Sequence, residues 1–155
     1  MIKYITGDIL ESNADALINT VNTVGVMGKG IALQFKKAYH NNFKAYIEAC
    51  KRNEIEIGKV FIVKDSNLNS GTKYIINFPT KKDWRKPSEY SFIEAGLDDL
   101  IRVLNEYKIK SVAIPPLGTG NGGLEWEKVK KIIEHKLGSL DIEIIVFLPT
   151  QHIKE

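Results

Sequence analysis

The sequence predicts an α/β layered fold built on a largely parallel sheet. Three observations lead there. Short apolar runs rich in β-branched and aromatic residues alternate with helical patterns along the chain. The run "IEIIVFL" is almost continuously apolar, as a central strand covered on both faces should be. The polar stretch "DSNLNSGT" sits between two strand-like runs and reads as a turn, so part of the sheet is expected to be mixed.

In chain order, "IKYIT" and "ALINTV" read as the first two strands. A helix is expected from Gly30 to Tyr39 and a second from Asn42 to Arg52. "KVFIVK" and "KYIINF" follow as strands. The clearest helix runs from Ser88 to Tyr107. There Phe92, Ile93, Leu97, Leu100, Ile101 and Leu104 form a stripe near period 3.6, and Pro87-Ser88 supplies a start signal. "SVAIPP" is the next strand. The last helix starts near Leu124, carries Glu125 and Glu127 in its first turn, buries Trp126, Val129, Ile132, Ile133 and Leu137, and stops at Gly138. "IEIIVFL" closes the pattern.

The bulk properties narrow the function classes. A length of 155 residues predicts one domain over 1–155 with a substantial core. A net charge of +3 sets up no global basic field, which leaves nucleic acid to a local patch. Cys50 is the single cysteine, so no intramolecular disulfide forms, which fits a reducing cytoplasm. With His40, His135 and His152 scattered, no metal site is expected. No apolar run approaches a membrane span and no signal-peptide pattern opens the chain, so no membrane partner is expected either.

Two glycine-rich loops follow predicted strands, where α/β sheets bind ligands. They are "NTVGVMGKGIA" and "PLGTGNGGLEW". Either loop alone reads as a tight strand-to-helix turn; two in the same context point to a phosphate site. Neither has Walker spacing or the dinucleotide-binding glycine order. Lys29 reads as a phosphate ligand or as a solvated residue at a helix start. Asp8, after the first strand, is either a buried carboxylate accepting from an adenine amino group or a capping residue, and the residues alone favour the cap. Asn19 and Asn22 bind ribose hydroxyls or close an Asx turn. In "KKDWRK", Trp84 lies between Lys82 and Arg85. Cations with an interleaved aromatic suit single-stranded nucleic acid, and a solvated loop with Trp84 folded onto the core is the equal alternative.

Together, "TGDIL", "INTVNTVGVMGKGIALQFK", "INFPTKKDWRKPS" and "IPPLGTGNGGLEW" resemble a macrodomain, the ADP-ribose-binding module. The likeness runs in order from Met1 to about Pro149, and is to the branch containing terminal ADP-ribose protein glycohydrolase and the DNA ADP-ribosyl glycohydrolase antitoxins. It implies a three-layer α/β/α fold with a central mixed, largely parallel sheet. It implies that Asp8 and the amide of Ile9 hold adenine, with Gly28, Lys29, Gly30 and Ile31 in one loop and Leu117, Gly118, Thr119, Gly120, Asn121 and Gly122 in the other cradling a diphosphate. Asn22 would face the distal ribose. Lys81 matches the lysine that carries the reaction in related glycohydrolases. A lysine near its ordinary pKa is protonated at neutral pH, so Lys82, Arg85, Lys86 or desolvation would have to lower it. The neutral amine would then attack C1″, or the ammonium would protonate the leaving group. Two departures stand out. The first loop lacks the Asp of another hydrolytic branch, and Gly122 stands where the protein glycohydrolase has an Asp, with Asp83 or Glu125 as stand-ins.

The likeness implies no cofactor. It implies ADP-ribose as ligand, ADP-ribosylated DNA as substrate with ADP-ribosylated protein or small ADP-ribose derivatives as alternatives, and a cognate ADP-ribosyltransferase toxin as partner. A non-catalytic ADP-ribose reader is the rival reading. The chain ends soon after its last strand, at "TQHIKE", as either a standalone protein or the enzymatic half of one.

Overall fold

The computed structural model describes residues 1–149, so His152 and the final "TQHIKE" lie outside the described residues. Six strands form one sheet: β1 (Ile2–Ile5), β2 (Ala16–Asn22), β3 (Phe61–Asn67), β4 (Gly71–Lys81), β5 (Ser111–Ile114) and β6 (Glu143–Phe147). Their order is β1-β6-β5-β2-β4-β3. Every neighbouring pair is parallel except β3 with β4. The antiparallel part is the hairpin expected at "DSNLNSGT". Asn67 closes its turn, with Oδ1 accepting the N–H groups of Asn69 and Ser70 at 3.0 and 2.7 Å.

Four helices, α1 (Gly30–Ala38), α2 (His40–Lys51), α3 (Tyr90–Glu106) and α4 (Trp126–Leu137), cover both faces. Strand side chains alternate between faces. Ala16, Ile18, Ile76, Phe78, Val112 and Ile114 pack with Ile93 and Leu97 of α3 and Val129 and Ile133 of α4. Leu17, Ile75 and Ala113 pack with Phe35 of α1 and Tyr39 just beyond it. Val21 packs with Tyr46 and Ala49 of α2. The result is the three-layer α/β/α sandwich. Each fully buried Leu, Ile or Phe contributes roughly 1.5–3 kcal/mol, so these two interfaces supply most of the stability.

Some boundaries move, for local reasons. α2 begins at His40, earlier than expected, because Asp65 on β3 accepts the Asn42 N–H at 2.8 Å and satisfies a first-turn donor. α3 begins at Tyr90, later than expected, because the Ser88 N–H donates to Gly122 O at 2.9 Å rather than entering a helix. Glu125 flanks α4 instead of joining its first turn, and Trp126 and Ile132 are half-buried rather than buried.

The five parallel strands all present their C-terminal ends at the same edge of the sheet, with β2 near the middle.

Candidate functional site

A cleft of about 1300 Å³ opens along that edge. Every parallel strand contributes to it: Gly7, Asp8 and Ile9 after β1, Thr20 to Asn22 on β2, Thr80 and Lys81 on β4, Pro115 and Pro116 after β5, and Phe147 and Leu148 at the end of β6. β1 and β4 are four strand spacings apart in the sheet order, roughly 19 Å. A ligand that touches both is therefore long. Lys29, Lys81, Arg85 and Lys86 line the cleft, and Asp8 is the one carboxylate among the described lining residues. The cleft favours an elongated anion.

The first loop forms one wall. Asn22 is buried, with its Oδ1 and one Nδ2 hydrogen engaged. Its Oδ1 accepts from the N–H groups of Val24 (3.1 Å) and Val26 (3.3 Å) and from Tyr46 Oη (3.0 Å), and its Nδ2 donates to Val26 O (2.8 Å). The Asx-turn reading of Asn22 is thus what the local geometry contains, and the turn carries the chain into the glycines. Gly28, Lys29, Gly30 and Ile31 all line the cleft. The first intrahelical bond of α1 is from Leu33 N–H to Lys29 O (3.3 Å). The N–H groups of Gly30, Ile31 and Ala32 precede it and face no helical acceptor, which makes this end a site for negative charge.

The second loop forms the opposite wall. Gly118, Thr119, Gly120, Asn121 and Gly122 line it. Internal bonds shape it: Thr119 N–H to Pro116 O, Gly122 N–H to Thr119 O and Leu124 N–H to Gly118 O. The N–H groups of Gly118, Gly120 and Asn121 make no such bond among the described residues. Gly120 has φ +64°, a left-handed conformation that suits glycine, and a Cβ there would meet nothing within 4 Å. Gly118 is different, since its Cβ would sit 2.7 Å from Leu124 Cδ1.

Lys81 ends β4. A register shift between Val21 and Asn22 sets Asn22 opposite Lys81 rather than Thr80. Lys81 Nζ donates to Trp84 O at 3.3 Å. Burial lowers its pKa below the ordinary lysine value, and the charge of Lys29 across the cleft lowers it further. Sequence reasoning offered desolvation or a cation among Lys82, Arg85 and Lys86; burial is the larger cause, and the cation that contributes is Lys29.

Several sequence-predicted residues stand elsewhere. Asn19 is fully buried beneath α2 and takes no part in the cleft wall. It shares the Leu17 side of β2, and its Nδ2 donates to Asn77 Oδ1 (3.3 Å), which also accepts from Asn42 Nδ2 (3.1 Å). Asp8 is exposed, not buried, and its Oδ1 accepts the Leu10 N–H at 3.0 Å as a cap. The Leu117 side chain is core, leaving only its main chain near the site. Lys82 extends its Nζ over the Phe92 ring at 5.8 Å, away from the cleft wall. Neither proposed substitute acid reaches the cleft. Asp83 is clasped by Arg85, which holds its carboxyl down to about 2, and Glu125 pairs with Lys128 at 3.0 Å. Sequence reasoning missed Thr20, Val26, Gln34, Thr80, Pro115 and Phe147 as lining residues. Most of them sit at strand ends, a positional signal that could have found them.

Known proteins share this architecture and sequence. The family model described as Macro domain matches residues 18–133. A Mycobacterium tuberculosis (strain ATCC 25618 / H37Rv) protein named DNA ADP-ribosyl glycohydrolase is 55% identical over 151 residues, covering 97% of this chain and 43% of that protein. The chain thus spans less than half the length of this curated relative. The solved macrodomain of Mycobacterium tuberculosis DarG superposes with a TM-score of 0.92 at 55% identity, over 96% of this chain and 98% of that one. Thermosipho africanus DarTG, solved in complex with ADP-ribose, matches with a TM-score of 0.89 at 36% identity, over 96% of this chain and 41% of that one.

Proposed function

The chain belongs to the macrodomain family, and from that premise we propose that it removes ADP-ribose from a modified macromolecule, with thymidine-linked ADP-ribose on DNA as the substrate. The relative named DNA ADP-ribosyl glycohydrolase supports the activity, and the structure solved with ADP-ribose supports the ligand. The observation that carries the chemistry is Lys81: a half-buried amine at the end of β4, its pKa lowered by burial and by Lys29, in the wall of a cleft between two glycine loops.

The cleft gives the ligand a direction. Adenine lies beside Asp8 and the Ile9 amide, the diphosphate lies between the two glycine loops, and the distal ribose reaches Lys81. The span of roughly 19 Å from β1 to β4 suits that extended pose. It also takes Asp8 out of the reaction, because the carboxylate sits at the far end. Among the amines that line the cleft, Lys29, Lys81 and Lys86, Lys81 is the one whose pKa burial lowers, and it is assigned the attack on C1″. Its neutral amine forms a bond to C1″. The bond from C1″ to the thymine nitrogen breaks, and its electron pair leaves with the base, which takes up a proton. The lysine nitrogen loses a proton and the ribose ring opens to a Schiff base. Water then adds to that carbon and returns ADP-ribose and the free amine.

A pH profile separates this scheme from acid catalysis by the ammonium. With the neutral amine as nucleophile, kcat/KM rises with pH and levels off above the free-enzyme pKa of Lys81, which lies below that of an ordinary lysine. Replacing Lys29→Gln removes the cation that helps lower that pKa. The rising limb is then expected to move to higher pH, with severalfold less activity near neutrality. A limb that falls with pH, moved outward by the same change, would assign Lys81 the acid role instead.

The substrate is tested by incubating the protein with an oligonucleotide ADP-ribosylated on thymidine and, separately, with a glutamate-ADP-ribosylated protein. Loss of the mark from DNA alone is the expected result. Cleavage of the protein mark alone would move the substrate to acidic side chains. ADP-ribose binding without turnover of either would make the protein a reader.

A further inference from the structure

We infer that Trp84 and Arg85 form a stacking platform for an unpaired base of single-stranded DNA at the lip of the cleft, beside the linkage that Lys81 attacks. This rests on the glycohydrolase reading and adds how the polymer itself is held.

Trp84 is 46% exposed although it lines the cleft. Its carbonyl accepts from Lys81 Nζ, so the indole starts within one residue of the reacting amine. The Arg85 guanidinium carbon lies 5.3 Å from the indole centroid, stacked over the ring. Arg85 is held in place by Asp83. Its Nε and Nη2 donate to Asp83 Oδ1 and Oδ2 at 3.1 and 3.0 Å, and its N–H donates to Oδ1 at 2.9 Å. Lys86 N–H to Asp83 O, 3.0 Å, closes the same turn. These bonds set the guanidinium over the indole without a ligand, a geometry suited to receiving a flat ring.

The opposite rim is tied to this turn. Thr23 donates to Lys82 O through both its N–H (3.2 Å) and its Oγ1 (2.6 Å). The same loop brings Val26, 40% exposed, into the cleft lining. The reactive end thus has Val26 at its rim and a part-exposed indole with Arg85 over the ring, while Lys86 in the wall supplies positive charge. A flat heterocycle with phosphates on either side matches both features; the faces of duplex bases are already stacked and cannot reach the indole.

The test uses Trp126→Phe, which leaves Trp84 as the sole tryptophan. A short unmodified oligothymidylate is expected to quench its fluorescence saturably, and the same sequence as a blunt duplex is not. By anisotropy, Trp84→Ala is expected to weaken single-strand binding by about tenfold or more, with Trp84→Phe keeping most of the affinity. No quenching, unchanged affinity in Trp84→Ala, or equal quenching by the duplex or by an acidic peptide of matched charge would overturn the platform. Release of thymidine-linked ADP-ribose by the wild-type protein is measured in parallel. Turnover with no Trp84 signal removes the platform and leaves the glycohydrolase. Quenching with no turnover supports the platform and removes the glycohydrolase.

Discussion

Replacing Lys81 with alanine is expected to slow release of ADP-ribose from DNA by at least about 10³-fold, while ADP-ribose itself still binds within a few-fold of wild type. The two halves of that result come from different parts of the cleft. In the proposed pose the diphosphate lies against main-chain N–H groups of two loops, and none of them belongs to Lys81. The proposed reaction is assigned to Lys81 and to neither acid, since Asp83 is clasped by Arg85 and Glu125 is paired with Lys128. Lys81→Arg sharpens the test. An arginine keeps the positive charge but never becomes a neutral amine, so it should be as inactive as alanine. If Lys81→Arg retained substantial turnover, the role of Lys81 would be electrostatic and the Schiff-base route would be wrong. Reduction of the wild-type reaction with cyanoborohydride should also trap ADP-ribose on Lys81, and mass spectrometry of the digested protein reads the site directly.

Placing phenylalanine at Gly120 is expected to do the reverse: leave Lys81 intact and abolish ligand binding. A Cβ at Gly120 meets nothing within 4 Å, so the ring enters the open cleft rather than the core. The left-handed φ of +64° adds strain of about 1–2 kcal/mol, a small part of the stability of a domain this size. The variant should fold and lose ADP-ribose affinity by more than about 100-fold, because filling the diphosphate position removes several charge-assisted hydrogen bonds together. Calorimetric titration gives the affinity. A melting temperature unmoved by saturating ADP-ribose, in a protein that raises it in the wild-type form, gives an independent reading. Tight binding by Gly120→Phe would mean that the diphosphate lies elsewhere.

How far the sequence could be read follows from the physics of each element. Helix α3 was legible because its apolar stripe repeats with the helical period, and the β3–β4 hairpin because its turn residues are distinctive. The two loops were legible because glycine clusters are rare inside elements and common where a backbone approaches a ligand. Asn19 was not. On a strand covered on both faces, alternation no longer marks a side, so nothing in "ALINTVN" says that Asn19 faces α2. The influence of Lys29 on Lys81 was equally hidden, because it depends on the first loop folding back across the sheet edge toward β4. Lys82 and Lys86 looked equivalent in "KKDWRK", yet one lies over Phe92 and the other lines the cleft. Side-chain direction in a turn is set by local hydrogen bonds, here those of Asp83, which composition does not encode. The Ser88-to-Gly122 bond escaped for the same reason: a start signal and a loop-to-loop tether share one sequence.

The main-chain construction of the diphosphate grip has a consequence for how such a protein ages. Side-chain donors vanish with a single codon change; a backbone N–H survives every substitution except proline. Ile31 and Ala32 on one side and Asn121 on the other can therefore drift in sequence and still present their donors, whereas Gly30, Gly118 and Gly120, with φ of +55°, +73° and +64°, are held to glycine. The segment from Lys81 to Ser88, anchored at its far end by the bond to Gly122, has no such insurance, because its work is done by an amine, an indole and a guanidinium. If the proposed function holds, substitutions in that segment change what the ADP-ribose is detached from, while those at Ile31, Ala32 and Asn121 leave the main-chain donors in place.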